Sequence, residues 1–118
     1  MATISKDILS GSTKGEPVAL PINTGTFVTV HTGPTNSAHY DEVFLYATNS
    51  IGTGEETITV RIGGTGNVNK IKAKVSPGQT VLVLPGIAIK GDSTPVVIDA
   101  ASTTADKVNV FGFTNKIR

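Results

Sequence analysis

The sequence predicts an all-β fold, an antiparallel β-sandwich of jelly-roll or immunoglobulin-like kind. Three observations predict it. No window carries the apolar period of a helix. Short apolar runs alternate with Gly, Pro, Asn, Ser and Thr at the spacing of about 8–12 residues typical of sandwiches and barrels, enough for about eight to ten strands. Thr, Val and Ile are abundant, and β-branched side chains suit a pleated, half-buried surface. A single open sheet would leave long Thr/Val-rich edges with few charges to protect them, so two sheets are expected.

Taken in order, Ile4 to Leu9 reads as a short strand or an arm, followed by a loop at Gly11-Ser12-Thr13-Lys14-Gly15. Pro17 to Leu20 is a short run closed by Pro21. In Thr26 to His31, Phe27, Thr29 and His31 alternate with Val28 and Val30. After the turn-rich Gly33 to Ser37, Asp41 to Asn49 forms a strand that is apolar on both faces, Val43, Leu45 and Ala47 pointing one way and Phe44 and Tyr46 the other. A strand covered on one side should alternate apolar with polar. This one asks for cover on both sides, from a loop or from another protein.

Ser50 to Gly54 connects to Glu55–Ile62, where Ile58, Val60 and Ile62 face in and Thr57, Thr59 and Arg61 face out; these two strands are expected to pair. Val68 to Val75 sets Lys70, Lys72 and Lys74 on one face. Pro77-Gly78 fits the centre of a type II turn, Pro fixing φ and Gly supplying a positive φ. Thr80 to Leu84 is again apolar on both faces and is expected to end at Pro85-Gly86, with Ile87 to Lys90 beyond. Thr94 to Ala100 and Lys107 to Thr114 are the last strands, the second with Phe111 and Phe113 opposite Val108 and Val110.

At 118 residues the chain fits one domain, residues 1–118, with residues 1–15 expected as an extended N-terminal arm. Charged residues make up only 16%, below the roughly 25% usual for soluble domains, which suits a surface packed in an assembly. The net charge of +1 is too small to argue for nucleic acid or an anionic membrane. Acids crowd the first half and bases the second, an asymmetry that fits pairing within the domain or head-to-tail between copies. Without cysteine there is no disulfide framework, and the fold must rest on its core or on partners. No apolar run approaches the ~18–20 residues of a membrane helix. The opening residues have no apolar stretch of the signal-peptide kind, so use without export is expected.

Chemistry is harder to find. His31 and His39 with Asp41 and Glu42 lack the ligand spacing of a zinc site and read as surface or turn residues. Asp41-Glu42 and Glu55-Glu56 read as solvated strand ends. Ser10 and Ser12 sit in no recognisable nucleophile setting. Gly63 to Gly66 lacks the Lys-Ser/Thr ending of a phosphate loop and is a turn. The lysine row lacks the aromatic stacking of a nucleic-acid groove and reads as a solvated face, with Phe111 and Phe113 in the core. No enzyme, cofactor or metal is expected.

Four segments carry a family likeness: Asp41 to Asn49, Ile58 to Gly64, Val83-Leu84-Pro85-Gly86 and Val110 to Ile117. Together with Ile4 to Thr13 they resemble small virion proteins of tailed bacteriophages, including those of cyanobacteria and marine bacteria. The resemblance implies a non-enzymatic structural protein, a head decoration or cement protein on the capsid surface, made in the host cytoplasm. Its implied partners are the major capsid protein and copies of itself, in a homo-oligomeric or lattice-bound state, with neither membrane nor direct nucleic-acid contact. Candidate contact residues are Ile4, Ile8, Leu9, Phe44, Tyr46, Lys116 and Arg118. The alternative is a tail, baseplate or fibre module binding a neighbouring virion protein or a host-surface glycan.

Overall fold

Alternation becomes burial most clearly in the strand spanning Tyr40–Asn49. Asp41, Val43, Leu45, Ala47 and Asn49 are buried, and the residues between them are only partly covered. The structure, a computed structural model, describes residues 3–51 and 53–118. The first two residues of the expected arm, and Gly52 of the expected connection, lie outside them.

The described residues form nine strands: β1 (Ile4–Ile8), β2 (Val18–Ala19), β3 (Val28–Thr32), β4 (Tyr40–Asn49), β5 (Glu56–Ile62), β6 (Lys70–Val75), β7 (Thr80–Lys90), β8 (Val97–Ser102) and β9 (Val108–Ile117). They make two antiparallel sheets. Sheet A has the order β1-β9-β4-β7, with β2 continuing β1's side of β9; sheet B has the order β3-β8-β5-β6. Treating β1 and β2 as one interrupted strand, eight strand positions form two four-stranded sheets, and the chain changes sheet at every step except between β5 and β6, which pair as a hairpin. That is the jelly-roll connectivity, and it selects between the two sandwich types the sequence allowed. Leu20, Val30, Val43, Leu45, Ile58, Val60, Leu84, Ile98, Val108 and Val110 interlock between the sheets. Each such aliphatic side chain contributes about 1.5–3 kcal/mol by leaving water.

Three expectations need correction. β4 and β5 do not pair: β4 lies between β9 and β7, and β5 between β6 and β8. The reason is a crossover after Asn49. The Asn49 amide donates to the carbonyls of Gly54 and Val75, and its backbone exchanges hydrogen bonds with Gly78 and Gln79, so the chain leaves sheet A for sheet B at this point.

The run expected to stop at Pro85-Gly86 continues as one eleven-residue strand. Pro85 is tolerated because β7 is the outer strand of sheet A and its missing N–H breaks no ladder. The register skips Val83 and Gly86 against β4, two bulges that let the strand bend instead of ending. Gly86 has φ +88 and lies beneath the Phe44 ring, where a Cβ would collide.

In β3 the register against β8 skips Val30, so Val30 and the following His31 are both buried. Simple alternation had placed His31 on the face opposite Val30. The expected arm has Ile4–Ile8 laid antiparallel on β9, from Ile4 opposite Ile117 to Ile8 opposite Phe113.

Gly112 is required by close approach. Any Cβ there would fall on the carbonyl of Phe44 across the β4–β9 ladder. Gly112→Ala is expected to destabilise by about 2–3 kcal/mol, because the neighbour is backbone and cannot rotate away. Urea denaturation monitored by circular dichroism measures this; an unchanged midpoint would contradict the packing described.

Candidate functional site

Two regions gather side chains with functional potential: a polar cleft at one end of the sandwich and the outer face of sheet A. The cleft, about 370 Å³, is lined by residues of β1, β3, β4 and the C-terminal end, among them Asp7, Ser10, His31, Asp41, Lys116 and Arg118. The bulge at Val30 turns His31 inward, and Asp41 begins the inward row of β4. Each is only 2% exposed, and His31 Nε2 lies 2.8 Å from Asp41 Oδ2. His31 Nδ1 accepts the backbone N–H of Ser10 at 3.1 Å, so the ring proton sits on Nε2 and is donated to Asp41. Arg118 comes within 3.0 Å of the other Asp41 oxygen and also donates to the Tyr40 carbonyl. Lys116 pairs with Asp7 at 2.7 Å. That contact, together with the Ile8 N–H and the positive field of Lys116, holds the Asp7 carboxyl below its ordinary range.

Ser10, His31 and Asp41 have the composition of a nucleophilic triad but not its wiring. A triad needs the histidine nitrogen remote from the carboxylate to accept the serine hydroxyl proton. Here that nitrogen is taken by Ser10's own backbone N–H, and Ser10 Oγ accepts the Thr32 N–H at 2.7 Å. The cluster fastens the β1 end, β3, β4 and the C-terminal end to one another. Among the described residues no group of three or more His, Cys, Asp or Glu side chains is placed to hold a metal ion.

The second region is the outer face of sheet A. Phe44 stacks on Phe113 with ring centroids 4.7 Å apart, and Tyr46 on Phe111 at 5.4 Å. The pairs follow from register, since Phe44 lies opposite Phe113 and Tyr46 opposite Phe111 across the β4–β9 ladder. Lys6 sits over the Phe113 ring at 4.5 Å. Beside the rings Leu82 is 46% and Ile8 43% exposed; beyond a polar row of Lys6, Asn115 and Glu42, Ile4 is 67% and Tyr40 40% exposed. The Phe pair expected in the core is therefore on this outer face, and Val108 and Val110, read as the opposite side of the strand, fill the core instead.

Of the candidate contact residues, Ile4, Ile8, Phe44 and Tyr46 come together on this face. Leu9 does not: it is buried in the core, because the chain turns inward after β1. Lys116 and Arg118 belong to the cleft, held by carboxylates.

The outer face of sheet B is polar by comparison. Lys70, Lys72 and Lys74 lie along the edge strand β6, and Arg61 forms a two-pronged pair with Asp99 at 2.7 and 2.8 Å beneath the Phe27 ring. Glu56, expected at a solvated strand end, is buried at the start of β5. It accepts from the hydroxyls of Ser102, Thr103 and Thr104 and from the Thr104 N–H, tying down the loop after β8. Its acidic neighbour gave no hint of this; the signal lay in the Ser-Thr-Thr run 46 to 48 positions away.

No protein-family model, curated protein or solved structure matches the chain.

Two outcomes follow. Long-range proton–nitrogen spectra at neutral pH are expected to show His31 as the Nε2–H tautomer, and His31→Leu is expected to lower stability by about 2–3 kcal/mol by leaving Asp41 without its buried donor. An Nδ1–H tautomer would contradict the wiring. For Glu56, burial alone pushes its pKa up, but the donors from Ser102, Thr103 and Thr104 outweigh it and hold the group below its ordinary 4.5. A carboxylate with a depressed folded-state pKa stabilises fully above the unfolded value and loses that contribution as pH falls through the folded one. Glu56→Gln is expected to cost about 1–3 kcal/mol at neutral pH, a gap that narrows in melts taken below about pH 4. A gap constant with pH would contradict this assignment.

Proposed function

We propose that the chain is a non-enzymatic structural protein of a bacteriophage virion, a capsid decoration protein that binds the outer shell and stabilises contacts between major capsid subunits. The observation that carries this reading is the aromatic and aliphatic outer face of sheet A. Stacked rings flanked by Ile8 and Leu82 form an apolar patch with water on one side, and such patches on small proteins mark interaction surfaces. In a shell, that face lies against a neighbouring virion protein, whether shell subunit or sister copy.

Two further features support the reading. The segments resembling phage virion proteins include Asp41 to Asn49 and Val110 to Ile117, which here form β4 and β9, the strands that carry the patch. The jelly roll also occurs among viral capsid domains; it occurs in lectins too, so it adds analogy and no more. On a repeating lattice each contact needs only modest affinity, because neighbours that engage together raise the effective concentration.

Purified protein is expected to bind capsids stripped of decoration and to raise their resistance to heat and osmotic shock. Phe111→Ser, on the exposed side of β9, is expected to weaken that binding by about tenfold or more. Quantitative mass spectrometry of purified virions is expected to count hundreds of copies per particle, the order of a shell lattice. A handful of copies, together with clear hits on a glycan array, would replace this reading with the tail or fibre module; absence from virions would end both.

A further inference from the structure

We propose that the occupant of the sheet A face is a second copy of this chain, packed face to face about a two-fold axis that runs along β9. The proposal rests on reading that face as a protein-contact surface and adds the identity of the partner.

The argument comes from register. β1 and β4 flank β9 on either side, and their pairings set residues in rows across the face. One row is Ile4, Ile117, Tyr40; the next is Lys6, Asn115, Glu42; the third is Ile8, Phe113, Phe44. A two-fold axis lying in the interface plane along β9 exchanges the two flanks and leaves β9 facing itself. Ile4 then meets Tyr40 of the other copy, Ile8 meets Phe44, and Lys6 meets Glu42. Each of these three rows is matched in kind, apolar against apolar and positive against negative. An isologous interface demands this self-complementarity, since each contact must occur twice with its roles reversed.

Charge makes the match specific. The strands of this face carry Lys6, Glu42 and, beside Tyr40 at the rim, Lys90. Within one molecule Lys6 and Glu42 are separated by β9, about 10 Å by strand spacing, and neither has an ionic partner among the described residues. Glu42 holds only the Asn115 amide at 2.9 Å, and Lys6 the Phe113 ring. The two-fold arrangement supplies each with its opposite.

About this axis β9 faces itself along its length and β1 faces β4 over five residues on each flank, about 300 Å² as a plane and more once side chains are counted, the range of a weak contact, with β7 outside it. The angle also fits. Sheets packed face to face cross at about 30°, which a two-fold inclined about 15° to β9 produces without breaking the central rows.

Sedimentation velocity of the full chain at about 100 μM is expected to show a dimer. Lys6→Glu and Glu42→Lys, each setting like charges opposite one another twice per dimer, are expected to raise the dissociation constant about tenfold or more, and the double swap to restore it to within about threefold. Thermal melts that stay alike across the set ensure that folding is not what changes. A monomeric wild type, a dimer indifferent to both single swaps, or a double swap that fails to restore it overturns the proposal. Capsid binding separates the two readings. A monomer that still binds stripped capsids, and loses binding with Phe111→Ser, leaves the face in contact with the shell and removes only the sister copy; a monomer that binds nothing removes both.

Discussion

The buried bond between His31 and Asp41 is the interaction on which the rest of the molecule turns. His31 belongs to sheet B and Asp41 to sheet A, so this one contact crosses the sandwich. It also reaches further in both directions, through Nδ1 to the chain leaving β1 and through Asp41 to Arg118 after β9. At the other end of β4 the buried Asn49 plays the matching part, holding the backbone of the connections around Gly54, Val75 and Gly78. Between these two polar ends the inward row is wholly apolar. Burying a polar group is tolerable only when its partners are in place. These contacts tie each end of β4 to the chain around it, at one end to β3 and the C-terminal residue and at the other to β6 and the Gly54 connection.

Much of the fold was legible because period and punctuation were consistent along the chain. Val43-Leu45-Ala47 against Phe44-Tyr46 gave the faces of β4 and Ile58-Val60-Ile62 those of β5, while in β9 two faces were visible but the larger Phe111 and Phe113 drew the core to the wrong one. What escaped were features that local pattern does not encode. A single-residue bulge at Val30 reversed the side on which His31 lies, and with it the role of Asp41. Pro85-Gly86 has the composition of a turn and becomes a kink, because only the ladder shows that β7 is an outer strand. Glu56 draws its donors from a loop far away in sequence, so its burial had no neighbouring signature. The stacking of Phe44 on Phe113 required knowing that β4 and β9 are neighbours, a fact set by the crossover at Asn49 and not by either strand.

The two outer faces contrast. Sheet B presents lysines, threonines and the Arg61–Asp99 pair, while sheet A presents aromatic rings with few charges among them. In one strand the apolar character of Phe44 and Tyr46 looked like surplus; across four strands it is a coherent surface with a direction. The molecule has a wet side and a more apolar side, set by which residues of β4 and β9 point away from the core.

The kinked outer strand has a consequence of its own. A long straight β edge is an invitation to ladder growth, in which copies add strand to strand without limit. β7 is eleven residues long and lies at such an edge, but Pro85 offers no N–H there and the flanking bulges put neighbouring donors and acceptors out of step. At this edge a neighbouring strand would find its donors and acceptors out of register, so the longest strand of the molecule is a poor template for ladder growth.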